Sequence, residues 1–429
     1  MTTKHHTSQA ARVLLLTLVF SPDGVSTAAI MSELAAQLRS LGHEIVVCTT
    51  TPHYNRDPDA LSAQPLHPRW GRLLQESEFQ GIPVYHAKVR AKGKRVLSRL
   101  LDYLIFQSVS TVAALRLAGR FQVVLAPSPP LTIGLSAAAL SLVRRTPFVY
   151  NVQEIYPDIA VSLGILKSRP LIRILGWVER FIYDRADAVV VISDSFRNRL
   201  LGKGVPAAKL HVIPNFVDAE FIQPRERHNS FSREHGLDER FVVLYAGNVG
   251  LTQDFETIIG AARALGDLPE ILFLIVGNGA RRDWLATQIA EGGLQNVRLL
   301  PYQPHGVVPD LYASSDVGLV PLRQGTAQST FPSKIYTVMA AGRPTIVAAD
   351  PDSELACIVD QAQCGVAVLP GDPVKLAEAV RKAFLHREAL RDMGQNGRQY
   401  VLQNHSPEAI ARQYHQLIVT LTKRSEHNR

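Results

Sequence analysis

The stretch Phe241-Val242-Val243-Leu244-Tyr245-Ala246-Gly247-Asn248-Val249-Gly250 decides the fold. An unbroken apolar run that ends on a glycine turn and continues into a helical pattern is a strand of a parallel sheet covered on both faces. The same order repeats at Ile271–Val276, Val297–Leu300, Val317–Pro321 and at residues 345–349 and 365–369, each run closing on Gly, Asn or Pro before a helical pattern. Working back toward the N-terminus, residues 13–20, Glu44–Thr50, residues 122–126, Phe148–Val152 and residues 188–192 read as strands, with residues 25–41 as a helix. Pro214, Asn215, Pro224 and the polar run 225–233 interrupt the pattern, so a hinge is expected near residues 214–230. Two doubly wound α/β domains follow. Ligands of such sheets bind outside the carboxyl ends of the strands, so a deep cleft between the domains is the expected seat of chemistry.

Composition bounds the function. The 429 residues carry 46 Lys plus Arg against 38 Asp plus Glu, a net charge of +8, and are 46% hydrophobic, which excludes a disordered or collagenous chain. Cys48, Cys357 and Cys364 are too sparse for a disulfide scaffold and lack the paired spacing of a zinc site, so a reducing cytoplasm is expected. The apolar run 13–20 is about half the ~18 residues needed to span a bilayer, and no small-residue cleavage site follows it, which disfavours secretion. No nucleic-acid-binding motif accompanies the positive charge, so nucleic acid is not an expected partner.

Three glycine turns follow strands in the second half: Gly247-Asn248-Val249-Gly250, Gly277-Asn278-Gly279 and Ala341-Gly342. Glycine lets backbone amides approach a phosphate, and it equally serves a tight strand-to-helix turn. The segment from Phe331 through Pro332, Ser333 and Lys334 to Thr337 and Gly342 says more. Proline at a first helical position, with a hydroxyl and a cation beside it, offers free amides and charge at one helix start, suited to a diphosphate. A solvated helix cap is the alternative.

Taken in order, Leu244-Tyr245-Ala246-Gly247-Asn248, Leu274-Ile275-Val276-Gly277-Asn278-Gly279, Asn296-Val297-Arg298-Leu299-Leu300-Pro301, Leu311-Tyr312-Ala313-Ser314-Ser315-Asp316-Val317 and Met339-Ala340-Ala341-Gly342-Arg343-Pro344 resemble the retaining glycosyltransferases of family 4, which have the GT-B fold. The first half matches more thinly, through Gly24 before a helix, Leu41-Gly42-His43-Glu44 and Val212-Ile213-Pro214-Asn215. Ser128-Pro129-Pro130-Leu131-Thr132, Ile155-Tyr156-Pro157-Asp158, Gln253-Asp254-Phe255-Glu256-Thr257 and Pro332-Ser333-Lys334 resemble the bacterial exopolysaccharide and O-antigen branch, which includes colanic-acid and N-acetylfucosamine transferases. The resemblance implies an acceptor-binding Rossmann-like domain over residues 1–218 and a nucleotide-sugar-binding one over residues 219–429, with the final helix packing back on the first.

Where family members carry a Glu, seven residues and a second Glu, this chain has Ser329 and Thr337, and the usual diphosphate-bracing Arg and Lys fall on Asn248 and Gln253. Lys334, Arg323 and Arg282 are the candidates to replace that charge. With them, Gly24, Gly247, Asn248, Gly277, Asn278, Gly279, Tyr302, Pro332, Ser333 and Thr337 make up the expected donor site. Glu154 and Asp158 are the candidate catalytic carboxylates of the first domain, able to accept a proton from an acceptor hydroxyl or to hold a sugar hydroxyl; an N-cap or salt bridge around Pro157 is an equal alternative. His43 and His53 read as structural. The triplets Asp57-Pro58-Asp59 and Asp350-Pro351-Asp352 read as turns rather than a metal site, and no metal or cofactor is expected.

Between residues 79 and 101 there is no acid, while Lys88, Arg90, Lys92, Lys94, Arg95 and Arg99 lead into Leu97, Leu100, Leu101, Leu104, Ile105 and Val109 at helical spacing. That is the pattern of an interfacial helix on anionic lipid, or of a face packed on the core. The resemblance implies a sugar moved from a nucleotide-diphosphate sugar, expected to be a UDP-sugar, to a polyprenyl-diphosphate-linked acceptor, with anomeric retention, by an enzyme on the cytoplasmic face of the membrane. A nucleotide-sugar 2-epimerase and a non-catalytic sugar-nucleotide-binding subunit are the rival readings.

Overall fold

A computed structural model describes residues 10–54, 58–89, 96–327 and 330–427. The chain divides into two compact units, residues 1–157, 168–214 and 407–429 forming one and residues 158–167 and 215–406 the other.

The first unit is built on β1 (Arg12–Leu16), β2 (Glu44–Thr50), β3 (His67–Trp70), β4 (Leu74–Phe79), β5 (Ile82–Ala87), β6 (Val123–Pro127), β7 (Phe148–Val152), β8 (Ala188–Val191) and β9 (Leu210–Val212), in the order β3-β4-β5-β2-β1-β6-β7-β8-β9. The strands β5 to β9 of that order are mutually parallel, whereas β3, β4 and β5 form an antiparallel meander at one edge. The β1 strand stops at Leu16, short of the apolar run's end at Phe20, because Thr17 turns its hydroxyl back onto the Val19 carbonyl and the chain leaves the sheet. The strand β5 occupies part of the acid-free interval, with Ile82, Val84 and Ala87 buried. The last helix, Pro407–His427, belongs to this unit. His43 accepts from the Ala11 amide through Nδ1 and meets His415 of that helix through Nε2 at 2.9 Å, and Asn151 donates to its Tyr414 hydroxyl.

The second unit carries β10 (Phe241–Ala246), β11 (Ile271–Val276), β12 (Val297–Leu300), β13 (Val317–Pro321), β14 (Thr345–Ala348) and β15 (Gly365–Val368), all parallel, in the order β12-β11-β10-β13-β14-β15. Each of its apolar runs is a strand. Two hydrophobic cores, one containing Leu244, Leu274 and Tyr336 and the other Tyr245, Phe273 and Ile346, cover its two faces. The strand order reverses between β10 and β13, the position where doubly wound sheets hold ligands.

Candidate active site

The turns after β10 and β11 are packed backbone to backbone. A Cβ on Gly277 would stand 1.8 Å from the Gly247 carbonyl oxygen, and one on Gly279 would stand 2.3 Å from that of Val249. Gly247, Gly277 and Gly279 have φ of +147°, +153° and +159°. Their amides are committed as well: Gly247 donates to Val276, Gly277 to Leu300, Val249 to Asn278, Gly250 to the Gln253 side chain and Gly279 to the Asn278 side chain. Close approach of the two main chains is what Gly277 and Gly279 allow, the tight-turn alternative for these glycines. Gln253, at the place of the usual Lys, is a buried buttress of the Gly250 turn.

Against this double turn lies the helix Lys334–Ala340, held on β13 so closely that a Cβ on Gly318 would meet Val338 at 2.3 Å. The helix begins at Lys334, with Ser333 as a cap that makes no side-chain bond, so Pro332 precedes the helix instead of opening it. The Phe331 carbonyl already accepts the Ser333 amide. Lys334 reaches over the double turn. Its Nζ donates to Tyr245 Oη at 2.6 Å and lies 3.9 Å from the Tyr245 ring centroid, and a Cβ on Gly247 would be 2.7 Å from it. Tyr245 in turn donates to the Asn248 carbonyl at 2.6 Å. Burial lowers the lysine's pKa to about 7, and among the described residues no carboxylate offsets that cost. Thr337 lies one turn further along the same helix; Ser329 falls outside the described residues.

Arg323 has an acidic partner. It pairs with Glu256 at 3.1 Å, and Arg281 pairs with the same carboxylate at 2.6 Å while covering the Trp284 ring at 3.7 Å. Burial alone would raise the Glu256 pKa, but the Arg281 hydrogen bond and the two cations hold it below the ordinary value. Two cations on one acid leave a single positive charge beside the turn. Arg282, the expected residue, opens the helix Arg282–Glu291, and it is Arg281, its neighbour, whose contacts face Glu256. Tyr302 Oη donates to the Asn278 carbonyl at 3.4 Å, closing one side of the Gly277 turn. Tyr245 and Glu256 stand in stretches that carried the resemblance but were not named as site residues, and Arg281 was passed over for its neighbour; Tyr245 lies within β10, Glu256 follows it and Arg281 follows β11. Asp350 accepts from the Gly325 amide through its carboxylate, a turn contact, and Asp57 lies outside the described residues.

In the first unit, burial raises the Glu154 pKa against the lowering effect of the Tyr156 hydroxyl. A carboxylate so placed is a stronger proton acceptor than a solvated one. Asp158 opens the short helix Asp158–Ser162 and falls in the second unit, so no single unit holds both carboxylates. Gly24 sits in the exposed turn before the helix Ser26–Ser40, whose cap residue Val25 makes no side-chain bond. Beside it, the buried Asp23 carboxylate accepts the amides of His53 and Tyr54, fixing the loop after β2.

Residues 25–215 match the model described as Glycosyl transferase 4-like domain, and residues 228–400 match the model Glycosyl transferases group 1. WcaI of Escherichia coli (strain K12), named as a colanic acid biosynthesis glycosyl transferase, is 26% identical over 385 residues, 87% of this chain and 92% of that one. WbjE of Pseudomonas aeruginosa, named as a glycosyltransferase, is 27% identical over 68% of this chain and 73% of its own. Among solved structures, Anabaena Alr3699/HepE in complex with UDP superposes with a TM-score of 0.70 at 17% identity, covering 95% of this chain and 100% of that one. Sucrose-phosphate synthase from Thermosynechococcus elongatus superposes with a TM-score of 0.74 at 20% identity over 96% and 99%. The two domain matches, running in order along nearly the whole chain onto two doubly wound units, place it among the glycosyltransferases of the GT-B fold.

Proposed function

We propose that this glycosyltransferase moves a sugar from a UDP-sugar to a polyprenyl-diphosphate-linked saccharide in bacterial surface polysaccharide synthesis, with retention at the anomeric carbon. The observation that carries the donor half is Lys334, a cation held over the β10 turn by Tyr245 with no carboxylate partner among the described residues. An ammonium kept in a low-dielectric site without an acid is poised to gain an anion, and the departing nucleotide diphosphate supplies one. Arg323 and Arg281, already gathered by Glu256, add the second positive charge. The family matches support glycosyl transfer, the name of WcaI supports polysaccharide synthesis, and the UDP in Alr3699/HepE supports the uridine donor.

In this reading the carbon–oxygen bond to the diphosphate breaks as the acceptor oxygen attacks the same face. The leaving phosphate oxygen takes the acceptor proton, and Lys334 stabilises the charge that develops on the diphosphate. Glu154 holds a sugar hydroxyl of the acceptor. Because the acceptor is lipid-borne, the enzyme works peripherally at the inner face of the membrane; among the described residues no helix is long and apolar enough to cross one. Incubation with a panel of UDP-sugars and a short-chain polyprenyl-diphosphate saccharide tests the proposal. A glycosylated lipid with the donor's anomeric configuration supports it. An isomerised nucleotide sugar formed without acceptor, or an inverted product, overturns it.

A further inference from the structure

The helix Arg169–Arg185 presents two unlike faces. Its inner face carries Glu179, Ile182 and Tyr183, all buried, and the one acid there is neutralised by Lys203 at 2.7 Å. Its outer face carries Leu171, Ile174 and Trp177, 44%, 58% and 68% exposed at three-residue spacing, with Trp177 stacked on Phe181 at 5.9 Å. Arg169 and Arg173 stand exposed along the border of that face, and Arg180 follows them, paired with Asp184.

The topology explains the exposure of these side chains among the described residues. The helices Ile133–Arg144 and Arg169–Arg185 join β6 to β7 and β7 to β8, consecutive parallel pairs, so they run side by side in one direction. Gly134, near the start of the first helix, abuts Ile182, near the end of the second; a Cβ there would meet Ile182 at 2.5 Å. Ile174, two turns before Ile182, therefore lies about 12 Å beyond the start of the neighbouring helix at 1.5 Å per residue. The overhang projects past the carboxyl ends of β6, β7 and β8, the edge at which such a sheet meets its ligands.

We propose that this overhanging face docks on an anionic phospholipid surface. Tryptophan with two aliphatic side chains on one side and arginines on its border is the arrangement that enters the headgroup boundary, with the apolar tips inserted and the guanidinium groups at the phosphates. The positive excess of the chain, +8, favours the same partner. The surface stands on its own geometry, independent of which sugar is transferred, and it is distinct from the residues 88–109 first marked by sequence. There, Arg90, Lys92, Lys94 and Arg95 lie outside the described residues, and in the helix Val96–Leu117 the buried face is Phe106, Ser110, Ala113 and Ala114, with Leu104 exposed.

A protein carrying Trp70→Phe and Trp284→Phe retains Trp177 as its one tryptophan and reports directly. On phosphatidylglycerol-containing vesicles its emission shifts to the blue, pure phosphatidylcholine gives no shift, and high salt weakens the effect. In the otherwise native chain, Leu171→Ser with Ile174→Ser and Trp177→Ser lowers the vesicle-bound fraction roughly tenfold or more with unchanged melting, whereas Leu104→Ser does not. Vesicle binding with unshifted Trp177 emission, full binding by the triple variant, or a dimer in solution that the triple variant dissolves would each overturn the proposal, the last by showing that a second copy covers this face.

Discussion

Lys334 Nζ donates to Tyr245 Oη at 2.6 Å across 89 positions of sequence, and the same tyrosine donates to the Asn248 carbonyl, so one ring ties the helix start to the turn after β10. A lysine held this way is pre-positioned; it needs no reorganisation when an anion arrives.

Removal of that charge tests its role most directly. Lys334→Ala is expected to slow turnover by roughly a hundredfold or more, about 3 kcal/mol, and to weaken nucleotide binding while leaving acceptor affinity in place. Arg323→Ala is expected to cost less, because Glu256 already engages that side chain. Steady-state kinetics with both substrates varied separates the two, and near-normal turnover in Lys334→Ala with Arg323→Ala crippled would transfer the role to the arginine.

The lysine's pKa, lowered to about 7 by burial, makes donor binding pH-dependent. The diphosphate of a nucleotide sugar keeps its charge above neutrality, so the loss falls on the protein. UDP-sugar affinity should decline as pH rises through about 7, by up to about tenfold per unit, until the raised pKa of the complex is passed. Stability runs the other way. Between about pH 7 and 10.5 the folded state binds fewer protons at this site than the unfolded chain, so its cost to folding is full below that window and fades as pH rises through it. Calorimetric titrations from pH 6 to 9 should show the trend in the native chain and a flat profile in Lys334→Met.

Tyr245→Phe removes the acceptor that orients Lys334 but keeps the ring beneath it. The expected result is about a tenfold weaker donor affinity and about 1 kcal/mol of lost stability from the abandoned bond to the Asn248 carbonyl. An unchanged dissociation constant would mean that Lys334 finds its position without the hydroxyl.

Gly277→Ala has no room: its methyl group would fall 1.8 Å from the Gly247 carbonyl oxygen, on a backbone at φ +153°. A loss of several kcal/mol is expected, read as a sharp fall in melting temperature, with donor binding lost because the two turns part. Gly306→Ala, with nothing within 4 Å, serves as the tolerant comparison.

Activity is expected to survive excess chelator, since Lys334 and the arginine pair supply the positive charge that a divalent ion would otherwise bring. Activity abolished by chelator and restored by magnesium or manganese would return Asp350 and Asp352 to consideration as ligands.

The doubly wound architecture was legible in the sequence because its determinants are local: every strand from β10 to β15 is a short apolar run closed by a turn residue, and partition from water acts on each run separately. The antiparallel edge was not, since four of the six residues of β4, Leu74-Gln75-Glu76-Ser77-Glu78-Phe79, are polar and the strand acquires its identity only by pairing with β5. Gly247, Gly277 and Lys334 could be picked out as candidate site residues one by one, but what each touches was decided by the sheet order. Placing β10 between β11 and β13 presses two glycine turns together, consumes their amides, and brings Lys334 onto Tyr245 and Arg323 onto Glu256. Charge pairing and hydrogen-bond allocation depend on distances between residues far apart in sequence, and only the packed sheet sets those distances.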